Sequence, residues 1–96
     1  YNARPALEIE TAGFEVLGGL LALFANAVEA GAGQARLTTR ENMLLKLLPA
    51  QFLGHGGQPD ADPYVRLLQV ADFVAGMTDS YAVDMYRKLK GIDMPR

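Results

Sequence analysis

The stretch VADFVAGMTDSYAVDMYRKLKG, residues 70–91, carries the most extended helical pattern in the chain. In and just before it, apolar side chains recur at intervals of three and four residues, which places them on one face of an α-helix. That face comprises Leu67, Val70, Ala71, Val74, Thr78, Tyr81, Met85 and Leu89. Pro63 suits a first helical turn and Gly91 a C-terminal stop. We therefore predict one continuous helix over 63–90.

A second long helix is predicted over 5–31, with a proline in its first turn and a glycine at its end. Its apolar stripe has the same spacing and comprises Phe14, Leu17, Leu21, Phe24 and Val28. Gly13, Gly18 and Gly19 lie within this helix, and each costs about 1 kcal/mol relative to alanine. We expect a neighbouring helix to approach closely at these glycines.

A shorter helix is predicted over 39–48, because Thr38 and Glu41 have the spacing of a capping box. The glycine-rich segment 54–62 is predicted to be a loop, with Asp62 capping the next helix. No alternation typical of strands is present. The fold class is therefore all-α, with three main helices. Three helices make an incomplete bundle, so we expect exposed apolar surface and partner helices elsewhere.

Composition narrows the classes of function. The chain has 96 residues, of which 50% are hydrophobic, and this suits one modest core. A net charge of -2 supplies no broad basic field for nucleic acid, and the lack of cysteine excludes disulfides and thiolate sites. No uninterrupted apolar run long enough for a membrane span is present, so we expect a cytoplasmic protein without a membrane partner. Because the chain starts at Tyr1, we interpret it as part of something longer.

Residues 70–91 resemble the terminal segment of bacterial dGTPases, deoxynucleoside-triphosphate triphosphohydrolases of the HD superfamily. In that family an Asp-aromatic-hydrophobic-small-Gly-Met-Thr-Asp core precedes Tyr-Ala and then Tyr-Arg. The corresponding residues here are Asp72 to Asp79, Tyr81, Ala82, Tyr86 and Arg87. LEIETAGFEVLGGLL, residues 7–21, is similar to the family's Ile-Glu-x-x-Gly-aromatic helix, and ENMLLKLLP, residues 41–49, is similar in pattern. These matches follow the family's order and cover most of the chain.

The resemblance implies that residues 1–96 are the C-terminal helical segment of a larger, mostly helical enzyme. Such enzymes hydrolyse a dNTP to a deoxynucleoside and tripolyphosphate, often as homo-oligomers, with Mg or Mn held by a histidine, a His-Asp pair and a further aspartate. The one histidine here, His55, is followed by glycine, so that ligand set is absent. We therefore expect no catalytic or metal-binding residue in this segment and no activity from it alone. Some relatives respond to single-stranded DNA, for which this acidic segment has no signature.

Glu10 is the first candidate binding residue. It continues the spacing of Phe14, Leu17, Leu21 and Phe24 on a helical wheel. A carboxylate in such an apolar stripe is costly unless it is paired or hydrogen-bonded. One interpretation is a structural ion pair or exposure near the helix start. The other is base recognition, since an ionised glutamate can accept the two donors on the guanine edge. Relatives place this glutamate at the nucleotide pocket with an aromatic residue nine positions earlier, here Tyr1.

Arg36 and Arg40 flank the start of the helix predicted over 39–48. Exposed arginines are usually solvated, but a guanidinium also suits phosphate oxygens. An arginine of this region reaches the nucleotide in relatives, and we take Arg36 as the candidate while Arg40 remains open. Asp72 and Asp79 would lie about 10 Å apart along one helix, which is too far for a shared metal and favours structural pairing.

Two functions remain open at this point. The first is an enzyme part that lines the dNTP pocket and supports the oligomer of a triphosphohydrolase. The second is a noncatalytic helical module for assembly or regulation.

Overall fold

The computed structural model describes the backbone of residues 4–33 and 36–93 and the side chains of residues 13–33 and 36–91. Four helices occupy these ranges: α1 (Arg4–Ala32), α2 (Thr39–Leu47), α3 (Pro63–Ala75) and α4 (Asp79–Asp93). Two 3-10 turns, Ala50–Phe52 and His55–Gly57, lie between α2 and α3. No strand occurs within the described ranges, so the predicted all-α class is confirmed.

The prediction of one continuous helix over 63–90 is wrong, because this part of the chain forms two helices, α3 and α4. Gly76 caps α3 and donates its N–H to the carbonyl of Asp72 at 3.1 Å. Thr78 then begins the next helix: its Oγ1 accepts the N–H of Tyr81 at 3.2 Å, and its carbonyl accepts the N–H of Ala82 at 2.9 Å. Glycine has a low helix propensity, and a threonine hydroxyl competes for backbone donors. Together they favour a stop and a new start over a continuous helix.

The predicted start of α2 is confirmed. Thr38 Oγ1 accepts the N–H of Glu41 at 3.1 Å, and the Glu41 carboxylate accepts the N–H of Thr38 at 2.9 Å. This reciprocal pair satisfies two backbone donors that a helix end otherwise leaves without partners. Asp62 caps α3 as predicted, with its carboxylate accepting the N–H of Tyr64 at 2.9 Å.

The core lies between α1 and the other three helices, and each of these three contacts α1. Its buried apolar residues are Val16, Leu20, Phe24, Ala27, Val28, Leu44, Leu48, Val70, Val74, Ala82 and Leu89. Phe73 of α3 contacts two other elements through its ring. The ring lies 5.2 Å from that of Phe24 in α1, in an edge-on arrangement, and 5.4 Å from that of Phe52 in the first 3-10 turn. Such aromatic contacts add specificity of geometry to the burial of apolar area.

The stripe predicted to be buried on α1 is correct only in its C-terminal half. Phe24 and Val28 are buried as expected, but Phe14, Leu17 and Leu21 are 77%, 41% and 37% exposed. Val16, Leu20 and Ala27 are buried in addition to Phe24 and Val28. Two neighbouring faces of α1 are apolar, so periodicity finds an apolar helix but does not say which face is covered.

Arg66 joins three parts of the chain although it is only 8% exposed. Its Nε and Nη2 donate to both oxygens of Glu29 on α1 at 2.8 and 2.9 Å, and its Nη1 donates to the carbonyls of Asp60 and Ala61 at 3.1 Å. The hydrogen bond from Arg66 holds the pKa of Glu29 below its ordinary value, although desolvation opposes this shift. Arg66 therefore fixes α3 and the preceding loop to α1.

Of Gly13, Gly18 and Gly19, one lies where another helix approaches closely. A Cβ added to Gly19 would collide with the Tyr86 ring of α4, lying within 2.8 Å of Cζ and 2.9 Å of the hydroxyl oxygen. A Cβ added to Gly13 or Gly18 would meet no atom within 4 Å. The predicted close approach of a neighbouring helix is confirmed at Gly19. Among the described residues it is wrong at Gly13 and Gly18.

The two adjacent glycines give a matched pair of substitutions. Gly19→Ala should destabilise the protein by about 1–3 kcal/mol, because the Tyr86 ring must move to admit the methyl group. In this chain by itself, Gly18→Ala should be stabilising by up to about 1 kcal/mol, because alanine is the better helix former and no atom of the described chain lies within 4 Å of the added methyl group. Urea unfolding of both variants beside the wild type measures the difference. Equal changes in the free energy of unfolding would contradict the packing of Tyr86 on Gly19.

Candidate functional site

Position 10 lies in the N-terminal half of α1, while the side chain of Glu10 and the whole of Tyr1 lie outside the described residues. The predicted contact of these two residues with a base therefore stays a prediction. By helical phase, position 10 belongs with positions 14, 17 and 21. Phe14, Leu17 and Leu21 are exposed, whereas Phe24 and Val28, which continue the same stripe, are buried.

We call this exposed side the outer face of α1. It comprises Phe14, Leu17, Gly18, Leu21, Ala22 and Ala25. All six residues are uncharged, all but the half-buried Ala25 are exposed, and Gly18 and Ala22 lie beside the larger side chains. The outer face therefore offers bulky side chains next to a shallow, small-residue surface.

Arg36 and Arg40 lie towards the other end of α1. Arg36 is exposed in the segment between α1 and α2, and Arg40 belongs to the first turn of α2. Arg40 lines a cleft with Asn26, a residue sixteen positions from Glu10. That spacing corresponds to about 24 Å along the helix axis and about 160° around it. Within one chain, the structure does not bring the Arg40 cleft to the face that carries position 10.

The cleft between α1 and α2 has a volume of about 270 Å³. Its lining residues are Leu23, Asn26, Ala27, Thr38, Arg40, Glu41 and Leu44. Thr38 and Glu41 are engaged with each other's backbone in the cap of α2, and the other polar side chains that line the cleft are Asn26 and Arg40. An amide and a guanidinium can donate to phosphate or carbonyl oxygens. The cleft distinguishes the two arginines, because Arg40 lines it and Arg36 is not among its lining residues.

Asp72 and Asp79 do not share one helix. Asp72 belongs to α3, Asp79 begins α4, and both side chains are exposed. The prediction that the two residues lie along one helix is therefore wrong, because α3 ends at its cap, Gly76.

His55, for which we expect no role, is exposed in a turn where Gly56 and Gly57 have φ angles of 69° and 74°. Within the part of the chain that the structure describes, no three His, Asp or Glu side chains are grouped closely enough to hold a metal ion.

A second groove, of about 330 Å³, lies between α2 and α4 and was not predicted from the sequence. Its lining residues are Met43, Leu47, Tyr81, Asp84, Met85, Lys88 and Leu89. Lys88 and Asp84 pair at its rim with a distance of 3.1 Å. The groove is therefore apolar in its floor and charged at its edge.

Part of α1, Gly13–Ala32, is long and apolar enough to cross a membrane, with a mean hydropathy of 1.4. The core helix of a soluble protein has the same features. Leu20, Phe24 and Val28 of this stretch are buried against the other helices, and Glu29 pairs with Arg66. These contacts favour a core helix.

Comparison with known proteins identifies the family. Residues 8–88 match the model of the phosphohydrolase-associated domain. The chain is 37% identical, over 96% of its length, to deoxyguanosinetriphosphate triphosphohydrolase-like proteins of Listeria monocytogenes and Listeria innocua. It is 38% identical, over 92% of its length, to a protein of the same name from Synechocystis. The resemblance inferred from residues 70–91 is thereby confirmed.

The match covers only part of these relatives. The chain spans 22% of the Listeria proteins and 18% of the Synechocystis protein. No solved structure matches it. The family model and the relatives agree over nearly the whole chain, and this chain therefore belongs to the phosphohydrolase-associated domain family.

Proposed function

We propose that this chain is part of a longer, metal-dependent dNTP triphosphohydrolase that converts dGTP to deoxyguanosine and tripolyphosphate. The observation that carries the proposal is the 37% identity over 96% of the chain to proteins named as deoxyguanosinetriphosphate triphosphohydrolase-like. We call the whole enzyme, of which this chain would be one part, the longer protein.

In this proposal, α1 contributes one wall of the nucleotide pocket. By helical phase, position 10 lies in line with Phe14, Leu17 and Leu21, which are exposed among the described residues. Glu10 would accept the N1–H and 2-amino hydrogens of guanine, which are two donors on one edge. Tyr1 would pack on the base, since an aromatic ring offers both apolar area and a stacking surface.

The positions of Arg36 and Arg40 bear on which nucleotide an arginine of this chain would contact. Arg36 and Arg40 lie far from position 10 within one chain, on the side of the Arg40 cleft. An arginine of this segment would therefore serve a nucleotide held at that cleft, or one whose base is bound by a second copy in a homo-oligomer. Arg40 has the better position of the two, because it lines a cleft with Asn26.

The metal of the longer protein, Mg or Mn, would be held outside this chain. The sequence has a single histidine and lacks the His, His-Asp and Asp ligand set. The chemistry that the metal would supply there is activation of water or polarisation of a phosphoryl oxygen for attack at the α-phosphorus. This chain's own residues would bind and orient the nucleotide, and alone they would not hydrolyse it. We propose a cytoplasmic location, where the dNTP substrate is found.

The outer face of α1 also suits the second candidate, a noncatalytic module for assembly, since an exposed apolar face can bind another subunit. The reading frame that precedes Tyr1 separates the two candidates. A His, then a His-Asp pair, then an Asp upstream is the result expected for the enzyme. An upstream frame without that ligand order would contradict the triphosphohydrolase and leave the assembly module.

A further inference from the structure

None of the helices formed by residues 4–33 and 36–93 covers the outer face of α1. The thinnest dimension of the molecule is 17 Å, and packed helices lie about 8–10 Å apart. The chain is therefore a slab about two helices thick, with α1 in one layer. The helices α2, α3 and α4 all contact α1, and the buried residues Val16, Leu20, Phe24 and Ala27 lie on one side of it. Gly18 and Ala22 lie on the opposite side, which faces outward.

The composition of the outer face is unusual for a surface exposed to water. Its six residues carry no charge, and the exposed Glu15 borders it beside Gly18 and Ala22. Phe14, Leu17 and Leu21 are exposed by 77%, 41% and 37%. In contrast, the groove between α2 and α4 has the charged pair Asp84 and Lys88 at its rim. A contiguous uncharged apolar face is typical of an interface with protein.

The small residues indicate what kind of element would fit. A Cβ at Gly18 would meet no atom within 4 Å, and Ala22 adds only a methyl group one turn further on. The backbone of another helix could therefore approach closely over Gly18 and Ala22, while Leu17 and Leu21 pack against its side. Ridges of large side chains beside a small-residue groove are the geometry of close helix packing.

We propose that the outer face of α1 is the docking surface for an apolar helix in the part of the longer protein that this chain does not cover. The proposal rests on the proposed function, because it takes the relatives as the guide to what is missing. Those relatives include this segment as only 22% of their length, so most of their fold lies outside it. Docking here would bring position 10 against that remaining part, and one contact would then both cover the apolar face and place Glu10 at the nucleotide.

Thiol labelling in the longer protein tests this docking surface. The present chain has no cysteine, so an introduced thiol within it is unique. Leu17→Cys and Ala22→Cys place thiols on the outer face, and Ala61→Cys places one on an exposed loop residue as a matched control for Ala22. The rate of maleimide labelling is measured by mass spectrometry of the peptide that carries the thiol, in native buffer and after unfolding in urea.

We expect positions 17 and 22 to be labelled on the order of tenfold or more slowly in the native protein than in urea, since a packed interface exposes them only through local opening. Position 61 should be labelled at a similar rate in both. Fast native labelling at 17 and 22 would overturn the proposal. So would a short bis-maleimide crosslink between Ala22→Cys residues of two copies, which would assign the face to a second copy.

The labelling result is independent of catalysis. If the wild-type longer protein releases no tripolyphosphate but positions 17 and 22 are protected without a crosslink between copies, the proposed reaction fails and the docking surface stands. If it is active and both positions are labelled quickly, the docking surface fails and the reaction stands.

Discussion

Glu10→Gln in the longer protein is expected to reduce the preference for dGTP over the other dNTPs by on the order of tenfold to a hundredfold. Glutamine offers one accepting oxygen where glutamate offers two, and its amide nitrogen would face a donor of guanine. Loss of a hydrogen bond to a charged group costs about 1.5–3 kcal/mol, and each 1.4 kcal/mol is a factor of ten. The measurement is kcat/KM for each of the four dNTPs.

Glu15→Gln is the matched control for this substitution. Glu15 is an exposed glutamate on α1, five residues from Glu10 and about 140° away around the helix. Its replacement removes the same charge and should leave the nucleotide preference unchanged. If Glu10→Gln and Glu15→Gln both keep the wild-type preference, Glu10 does not read the base and the structural alternatives for this residue stand.

Arg66→Met should lower the melting temperature far more than Lys88→Met, although each removes one cation from an ion pair. Arg66 makes two hydrogen bonds to Glu29 and one each to the carbonyls of Asp60 and Ala61, and it is nearly buried. Methionine keeps the length of the side chain but satisfies none of these acceptors. The pair formed by Lys88 and Asp84 is 73% and 67% exposed, and exposed pairs contribute about 1 kcal/mol or less.

The ion pair of Arg66 also gives the stability a defined pH dependence. The hydrogen bond from Arg66, helped by its charge, lowers the pKa of Glu29 in the folded state below the ordinary value of 4.5. A lowered pKa means that the stabilisation is fully present above 4.5 and is lost as the pH falls through the folded value. The difference in melting temperature between wild type and Glu29→Gln should therefore be largest near neutral pH and shrink below pH 4.5. A constant difference would contradict the pair.

The sequence predicted those features of the fold that depend on residues close together in the chain. The capping box of Thr38 and Glu41 is set by four consecutive residues, and both the spacing and the hydrogen bonds agree. The break at Gly76 and Thr78 is also local, but apolar periodicity runs through it, because α3 and α4 both pack against α1. A glycine followed two residues later by a threonine was the available signal for this break.

Contacts between distant parts of the chain could not be predicted in the same way. Arg66 and Glu29 are 37 residues apart, and nothing in the spacing of either residue selects the other. Exposed apolar surface was predicted, but the side of α1 that carries it was not, for a related reason. Phe14 and Val16 are both apolar, and only the positions of α2, α3 and α4 decide that Val16 is buried. For the candidate site, helical spacing and the family resemblance identified Glu10 from the sequence. Only the packed structure distinguishes Arg40, which lines a cleft, from Arg36.

The proposed reaction is tested by the products that the longer protein forms from dGTP with Mg or Mn, identified by phosphorus NMR and by chromatography of the nucleoside. We expect deoxyguanosine and intact tripolyphosphate in equal amounts, with formation abolished by EDTA and restored by added metal. Formation of dGMP and pyrophosphate, of dGDP and phosphate, or of no product with any dNTP would contradict the triphosphohydrolase.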